Sequence, residues 1–158
     1  MPKNKIVAVG GTFDHFHLGH EWLISNAFER GEFVIIGVTS DEFLKTVCKS
    51  HDQDFRVRVS RLIEFLKSKG FMERASIVKL EDPFGPTISD PSIEGIVVTK
   101  ETVHRAEEAN RIREERGMKR MKVYVVDYVR ASDGIPISST RIRNREIDEK
   151  GNLLKSQA

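Results

Sequence analysis

Gly10-Gly11-Thr12-Phe13-Asp14-His15-Phe16-His17-Leu18-Gly19-His20 stands between an apolar run, Ile6-Val7-Ala8-Val9, and a helical pattern that begins at Leu18. The order reads as strand, tight loop and helix start, which sets two imidazoles at the mouth of a βα turn. Gly10 and Gly11 carry no Cβ, so the loop can turn sharply and a ligand can approach its backbone. His17 and His20 lie three residues apart and share a face of a first helical turn. N–H groups left unpaired at a helix start point the same way and favour an anion. Two imidazoles over a helix N-terminus make a site for phosphate.

Taken alone, a His-x-x-His is more often a pair of scattered surface residues, and histidine is also a frequent metal ligand. The single Cys48 and the lack of a His-Glu-x-x-His pattern leave a zinc site without further protein ligands. The whole eleven-residue string is more specific than any of its parts.

Outward from this loop the chain alternates. Residues 5–9 are apolar and β-branched, the pattern of a buried strand. Residues 18–30 place Trp22, Leu23, Ala27 and Phe28 at helical spacing, with Gly31 at the end. Residues 33–38 are a second buried strand. Strand, helix and strand with short links form a βαβ unit, which implies parallel pairing and a right-handed crossover. Ligands then bind beyond the carboxyl ends of the strands, where the Gly-Thr-Phe-Asp loop lies.

Thr39-Ser40-Asp41 can cap a short helix at the same rim, followed by Lys45 and Lys49, two candidates for a phosphate contact or two solvated lysines. Residues 54–69 form an amphipathic helix, with Arg58 and Arg61 assigned to its solvent side. Strands are expected at 75–80, 95–99 and 121–126, and a heavily charged helix at 100–116. Ile137-Ser138-Ser139-Thr140-Arg141-Ile142-Arg143 reads as a Ser-capped basic helix reaching about residue 150. Its hydroxyls, free N–H groups and Arg141 could equally converge on phosphate oxygens. Residues 151–158 are expected to fray. The sum is α/β: a single Rossmann-like domain over residues 1–158, a five-stranded parallel sheet with helices on both faces.

A length of 158 residues suits one domain with a real core. The formal net charge is +2, so nothing in the balance calls for nucleic acid or an anionic membrane. No apolar stretch approaches the roughly 20 residues of a membrane span. The first five residues run straight into a strand without room for a signal peptide, and one cysteine forms no internal disulfide. A cytoplasmic protein is expected.

Gly-Thr-Phe-Asp-x-x-His-x-Gly-His and, about 120 residues on, Ile-Ser-Ser-Thr-x-x-Arg resemble the paired signatures of the nucleotidyltransferase superfamily. Within it the chain resembles the phosphopantetheine adenylyltransferases, in their archaeal and eukaryotic-type branch. Gly37-Val38-Thr39-Ser40-Asp41, Asp82-Pro83-Phe84-Gly85-Pro86-Thr87, and Val97 to Thr102 with Asn110 and Arg113 carry the finer match. The likeness covers roughly residues 5–145.

It implies AMP transfer from ATP to 4′-phosphopantetheine, giving dephospho-coenzyme A and pyrophosphate in coenzyme A biosynthesis. A magnesium ion would be held mainly by the ATP phosphates and water, with no protein metal ligand assigned. By the same likeness His17 and His20 donate to the ATP phosphates, and Thr12 places the acceptor phosphate with Lys45. Gly11 and Phe13 lie beside the nucleotide. Ser138, Ser139 and Thr140 cradle the β- and γ-phosphates with Arg141 or Arg143 nearby.

The chain departs from the bacterial form at Gly10, which stands in place of a proline, and at Thr99-Lys100-Glu101-Thr102, where an Arg-Gly-x-Arg is missing. Lys100 or Arg113 is expected to take over those nucleotide contacts, and a monomer is expected rather than the bacterial hexamer. The rivals are a sister cytidylyltransferase, a nicotinamide mononucleotide adenylyltransferase, and a non-catalytic nucleotide-binding regulator. A nucleic-acid binder using Lys119, Arg120, Lys122 and residues 141–145 is disfavoured by the balanced charge and the lack of interleaved aromatics.

Overall fold

β1 (Asn4–Gly11) is the middle strand of a five-stranded, all-parallel sheet in the computed structural model, which describes residues 4–154. Its neighbours are β2 (Gly31–Thr39) and β4 (Gly95–Val98); β3 (Ala75–Leu80) and β5 (Lys122–Val125) form the edges. The order is β3-β2-β1-β4-β5. The chain moves outward from β1 through β2 to β3, then crosses back and moves the other way through β4 to β5. That reversal parts the connections above β1 and β4 and opens a crevice at their carboxyl ends.

Alternation along the strands sorts side chains between two layers. Val7 and Val9 face one side with Val34, Ile36 and Val38, beneath α1 (Leu18–Arg30) and α3 (Phe55–Ser68). Leu23, Ile24, Ala27 and Phe28 of α1 and Leu62, Phe65 and Leu66 of α3 supply the covering stripes. Ala8 faces the other side, under α4 (Val103–Glu115), with Ile93, Ala109 and Met121. The apolar side of α4 is thin, and its small residues Ala106 and Ala109 are buried along with Asn110 and Arg113. The expected fold and strand count are as read from the sequence.

The local readings change in three places. Gly10 and Gly11 are inside β1, paired with Gly37 and Val38, and do not make the turn. The left-handed residues are Phe13 (φ 56°) and His15 (φ 48°), a conformation that costs a non-glycine residue free energy and must be held by its surroundings. The hold is visible: the His15 N–H donates to Gln53 Oε1 at 3.0 Å, and the Asp14 carboxylate accepts from the N–H groups of Asp52 and Gln53.

Arg58 is the second change. It is fully buried and not solvent-facing. Its guanidinium donates to the carbonyls of Thr12 and Thr39, each at 2.8 Å, to Gln53 O, and to Asp41 Oδ1 at the start of α2 (Asp41–Thr46). Carbonyls at the ends of β1 and β2 have run out of strand partners, and the fork of one arginine takes both.

The last helix is also short. α5 spans Ser139–Arg143 and ends before the left-handed Arg145. Residues to 154 do not fray: Ile147 is fully buried and bridges to Leu153, and Gly151 O accepts from Ser132 N–H. The rest of the expected tail, 155–158, lies outside the described residues. Among the described residues no helix is long and apolar enough to cross a membrane.

Candidate active site

His17 is the N-cap of α1, in extended backbone, and its ring takes the part a serine or aspartate oxygen usually plays. Its Nδ1 accepts from the N–H groups of Gly19 at 3.0 Å and His20 at 3.4 Å. His20 reciprocates, its Nδ1 accepting from His17 N–H at 3.2 Å, which closes a capping box made of two imidazoles. With both Nδ1 lone pairs occupied, each neutral ring carries its proton on Nε2. The rings stack, 3.6 Å between centroids, and Phe13 meets His20 edge-on.

Burial, then the charge of His15, lowers His17 to about 4. Burial, then His17 and Lys49, holds His20 well below the ordinary imidazole value. Both are therefore neutral Nε2–H donors near pH 7. The N–H groups expected to be free at this helix start are not: Leu18 N–H also donates, to Glu149 O at 3.1 Å. The donors offered to an anion here are ring N–H groups.

The Ser138 turn meets this loop directly. Ser139 Oγ donates to Asp14 O at 2.6 Å, and Arg143 Nη1 donates to Asp14 Oδ2 at 3.0 Å. Asp14 is buried, which alone raises a carboxyl; the N–H groups of Asp52 and Gln53 with Arg143 outweigh that and hold it below its usual value. Ser138 caps α5, its Oγ accepting from Arg141 N–H at 3.2 Å. The N–H groups of Ser139 and Thr140 find no acceptor among the described residues.

Two cavities share the rim of the sheet. One, of about 440 Å³, is lined by His17, His20, Ser138, Ser139, Thr140 and Arg143. The other, of about 350 Å³, is mainly apolar, walled by Phe43, Leu44, Val98 and the segment from Asp82 to Thr87. Thr12, Lys49, Thr99 and Glu101 border both. Side-chain hydroxyls of Thr12 and Thr39 pair at 3.2 Å across the ends of β1 and β2.

Residues 8–145 match the family model described as cytidylyltransferase-like. The chain belongs to that family. It is 46% identical over 153 residues to a phosphopantetheine adenylyltransferase of Methanothermobacter thermautotrophicus, covering 97% of this chain and 92% of that protein. The corresponding protein of Methanosarcina barkeri is 48% identical over 160 residues, covering 99% and 95%. Among solved structures, a protein with unknown function from Archaeoglobus fulgidus superposes with a TM-score of 0.69 at 35% identity, covering 78% of this chain and 89% of that one. The resemblance read from the two motifs is borne out.

For a cytidylyltransferase-like chain, the expected residues divide into those brought to the cavities and those turned elsewhere. His17, His20, Phe13, Ser138, Ser139 and Thr140 gather in the larger cavity, and Thr12 lies at the junction. Gly11 borders the apolar cavity and not the larger one. Lys45 points away: Phe43, Leu44 and Val47 form the cavity face of α2, and Lys45 is off that face and exposed. Lys49, beyond the helix end, borders both cavities.

Lys100 is exposed between cavity-facing Thr99 and Glu101 and borders neither cavity. Arg113 is buried, and its guanidinium is consumed by the carbonyls of Lys119, Thr87, Asp90 and Ile93. It braces the wall that includes Thr87 and touches no ligand space. Arg141 bonds Asp133 and the carbonyls of Ile135 and Pro136, so it shapes the turn, and Arg143 is the arginine of the motif that reaches the cavity. Sequence reading missed the roles of Asp14 and Arg58; the Asp of the first motif was a signal for the former.

Proposed function

We propose that the protein is a phosphopantetheine adenylyltransferase, joining the AMP of ATP to the phosphate of 4′-phosphopantetheine and releasing pyrophosphate. One observation carries the reading: a mainly apolar cavity and a second one lined by imidazoles, hydroxyls and Arg143 abut at Thr12 and Lys49. The larger, with ring N–H donors, serine hydroxyls and Arg143, suits the triphosphate. The apolar one suits an extended arm of methylene and amide groups, with its phosphate at the junction. The identity to the archaeal relatives over nearly the whole chain supports the same assignment.

The reaction needs no nucleophile from the protein. An oxygen of the acceptor phosphate attacks the α-phosphorus of ATP, the bond from that phosphorus to the bridging oxygen breaks, and pyrophosphate leaves. The protein has to bring two anions together and match charge where it grows, which is catalysis by orientation and preorganised electrostatics. Neutral Nε2–H donors of His17 and His20 stabilise charge on the α-phosphoryl group and the leaving pyrophosphate. Thr12 and Lys49 orient the acceptor phosphate, while Ser138, Ser139 and Thr140 hold the outer phosphates.

Magnesium belongs to this proposal as a neutraliser of triphosphate charge. No cluster of three His, Cys, Asp or Glu suited to a metal is found among the described residues, so the donor set fits an ion held by phosphate oxygens and water.

The test is pyrophosphate release with ATP or CTP, each against phosphopantetheine, glycerol phosphate and nicotinamide mononucleotide. Release from ATP with phosphopantetheine alone is expected. Turnover only with CTP and an alcohol phosphate, or with ATP and the mononucleotide, would replace the substrate assignment. ATP binding without release in any pairing would make the protein a regulator.

A further inference from the structure

Residues 146–154 form a tight reverse turn that borders neither cavity and yet reaches both helix starts. Ile147 bridges to Leu153, and Asp148 Oδ1 accepts from the N–H groups of Lys150 and Asn152, which fixes the turn. Glu149 O takes the Leu18 N–H at the first turn of α1, at 3.1 Å, and Gly151 O takes the Ser132 N–H at 2.9 Å. The Ile147 side chain is fully buried, with Ala131 and Ile137, in a small core edged by Leu18, Val129 and Ile142. None of the described strand residues belongs to this core. Gly151 is left-handed (φ 81°), and a Cβ on it would meet Ile137 Cδ1 at 2.8 Å, so the turn presses directly on the residue before Ser138.

We propose that Ile147 is a positioning residue for the nucleotide: it sets the distance between the Ser138 turn and the first turn of α1, and so the opening that receives the triphosphate. This rests on the proposed function, which assigns the larger cavity to ATP. On the cavity side the two loops are joined by Ser139 Oγ on Asp14 O and by Arg143 on Asp14 Oδ2, donors for which phosphate oxygens compete. On the far side the join is apolar: Leu18 from α1 and Ile142 from α5 pack on the Ile147 core. Packed apolar contacts do not exchange with an anion, so this side keeps the spacing when phosphate draws Ser139 and Arg143 away. Ile137 and Val129 carry the effect to the larger cavity, which they line. No member of the small core lines the apolar cavity, so acceptor binding is independent of it. A core of this size, separate from the sheet, can also open without it.

The experiment measures ATP and phosphopantetheine affinity separately, by calorimetry, for the wild-type chain, Ile147→Ala, Ile147→Val and Gly151→Ala, with hydrogen exchange read at each amide. Ile147→Ala should weaken ATP binding about tenfold and leave phosphopantetheine affinity unchanged. The N–H groups of Leu18, Ser132 and Ile137 should exchange faster, while those of β1 and β2 keep their protection. Ile147→Val lacks one methyl and should restore most of the ATP affinity. Gly151→Ala pushes on Ile137 from the turn and should also weaken ATP alone; where Ile147→Ala does not fold, this variant decides by the same split. Equal weakening of both ligands would make Ile147 a merely structural residue and overturn the proposal, as would faster exchange at those amides with ATP affinity unchanged. A wild-type chain that binds ATP but releases no pyrophosphate with phosphopantetheine would remove the acceptor assignment and leave the ATP result standing. One that binds no ATP would remove both.

Discussion

Two helix starts face the same cavity and solve the same problem differently. At α1 the cap is an imidazole, every first-turn N–H is taken up, and what remains for a ligand is a pair of ring N–H groups. At α5 the cap is a serine hydroxyl, and backbone N–H groups of Ser139 and Thr140 stay available beside three hydroxyls. The first arrangement is stiff. The rings are stacked and hydrogen-bonded through Nδ1, so under the proposed reaction their Nε2–H groups would cost little reorganisation as charge develops on the phosphates they face. The second is a five-residue helix whose hydroxyls are held by single bonds, Ser138 by Arg141 N–H, Ser139 by Asp14 O and Thr140 by Arg143. A stiff donor set belongs where charge changes during reaction, and a looser one where phosphates are held throughout.

His20→Ala tests the stiff side most severely. Removal of one preorganised donor from such a site typically costs about 100- to 1000-fold in rate. That loss is expected in kcat, with KM for ATP moving much less; the melting temperature should fall by only a few degrees, the cost of one lost cap bond. The matching change on the other side, Ser139→Ala, should weaken ATP binding more than it slows turnover. Reversal of that pattern would end the division of labour between the two helix starts.

The same stiffness predicts a pH dependence of stability. An unfolded imidazole takes up its proton near pH 6.5, but folded His17 does so only at about 4. Between those values the unfolded chain binds more protons, so stability falls as pH falls, by on the order of 3 kcal/mol from His17 alone at the lower end. Asp14 acts lower: its carboxyl is held below the usual value, and its contribution disappears as pH drops through the folded pKa. Denaturant titrations from pH 7 to 4 should show the slope, and His17→Gln should flatten it. An unchanged slope in the variant would show that the imidazole is not held neutral by the fold.

How far the chain could be read beforehand follows from what each signal is. Strand and helix periods are local, and β2, α1 and α3 were visible from Val34-Ile35-Ile36 and from the spacing of Leu23, Ala27 and Phe28. The two motif loops that meet at the larger cavity were visible because their residue types are rare in combination. The burial of Arg58 and Arg113 was not: an arginine on an amphipathic helix reads as solvated, as Arg58 did, and Arg113 was assigned to the nucleotide. Their burial is decided by carbonyls of Thr12, Thr39, Thr87 and Ile93, which converge only once the sheet is assembled. Lys45 and Lys49 differ by one helical turn, and the end of α2 at Thr46 decides which of them reaches the cavity. The shortened final helix follows from a chain that turns at Arg145 to bury Ile147, a tertiary gain that outweighs continued helix.

Gly19 gives the finest probe of the α1 arrangement. A Cβ there would lie 2.8 Å from His17 Cε1 and 3.0 Å from its Nδ1, and the ring has no slack, being stacked on one face and bonded at its edge. Helix propensity pulls the other way: alanine inside a helix is worth roughly 0.5–1 kcal/mol over glycine. The glycine of His-x-Gly-His is thus placed against local preference to make room for the capping ring. In Gly19→Ala the ring has to move by a few tenths of an ångström or leave the cap. A misplaced catalytic group can cost up to about 100-fold, so a fall of about tenfold in kcat is expected, with little gain in melting temperature. A variant that is more stable and fully active would mean that the cap tolerates displacement, and that stiffness is not what separates α1 from α5.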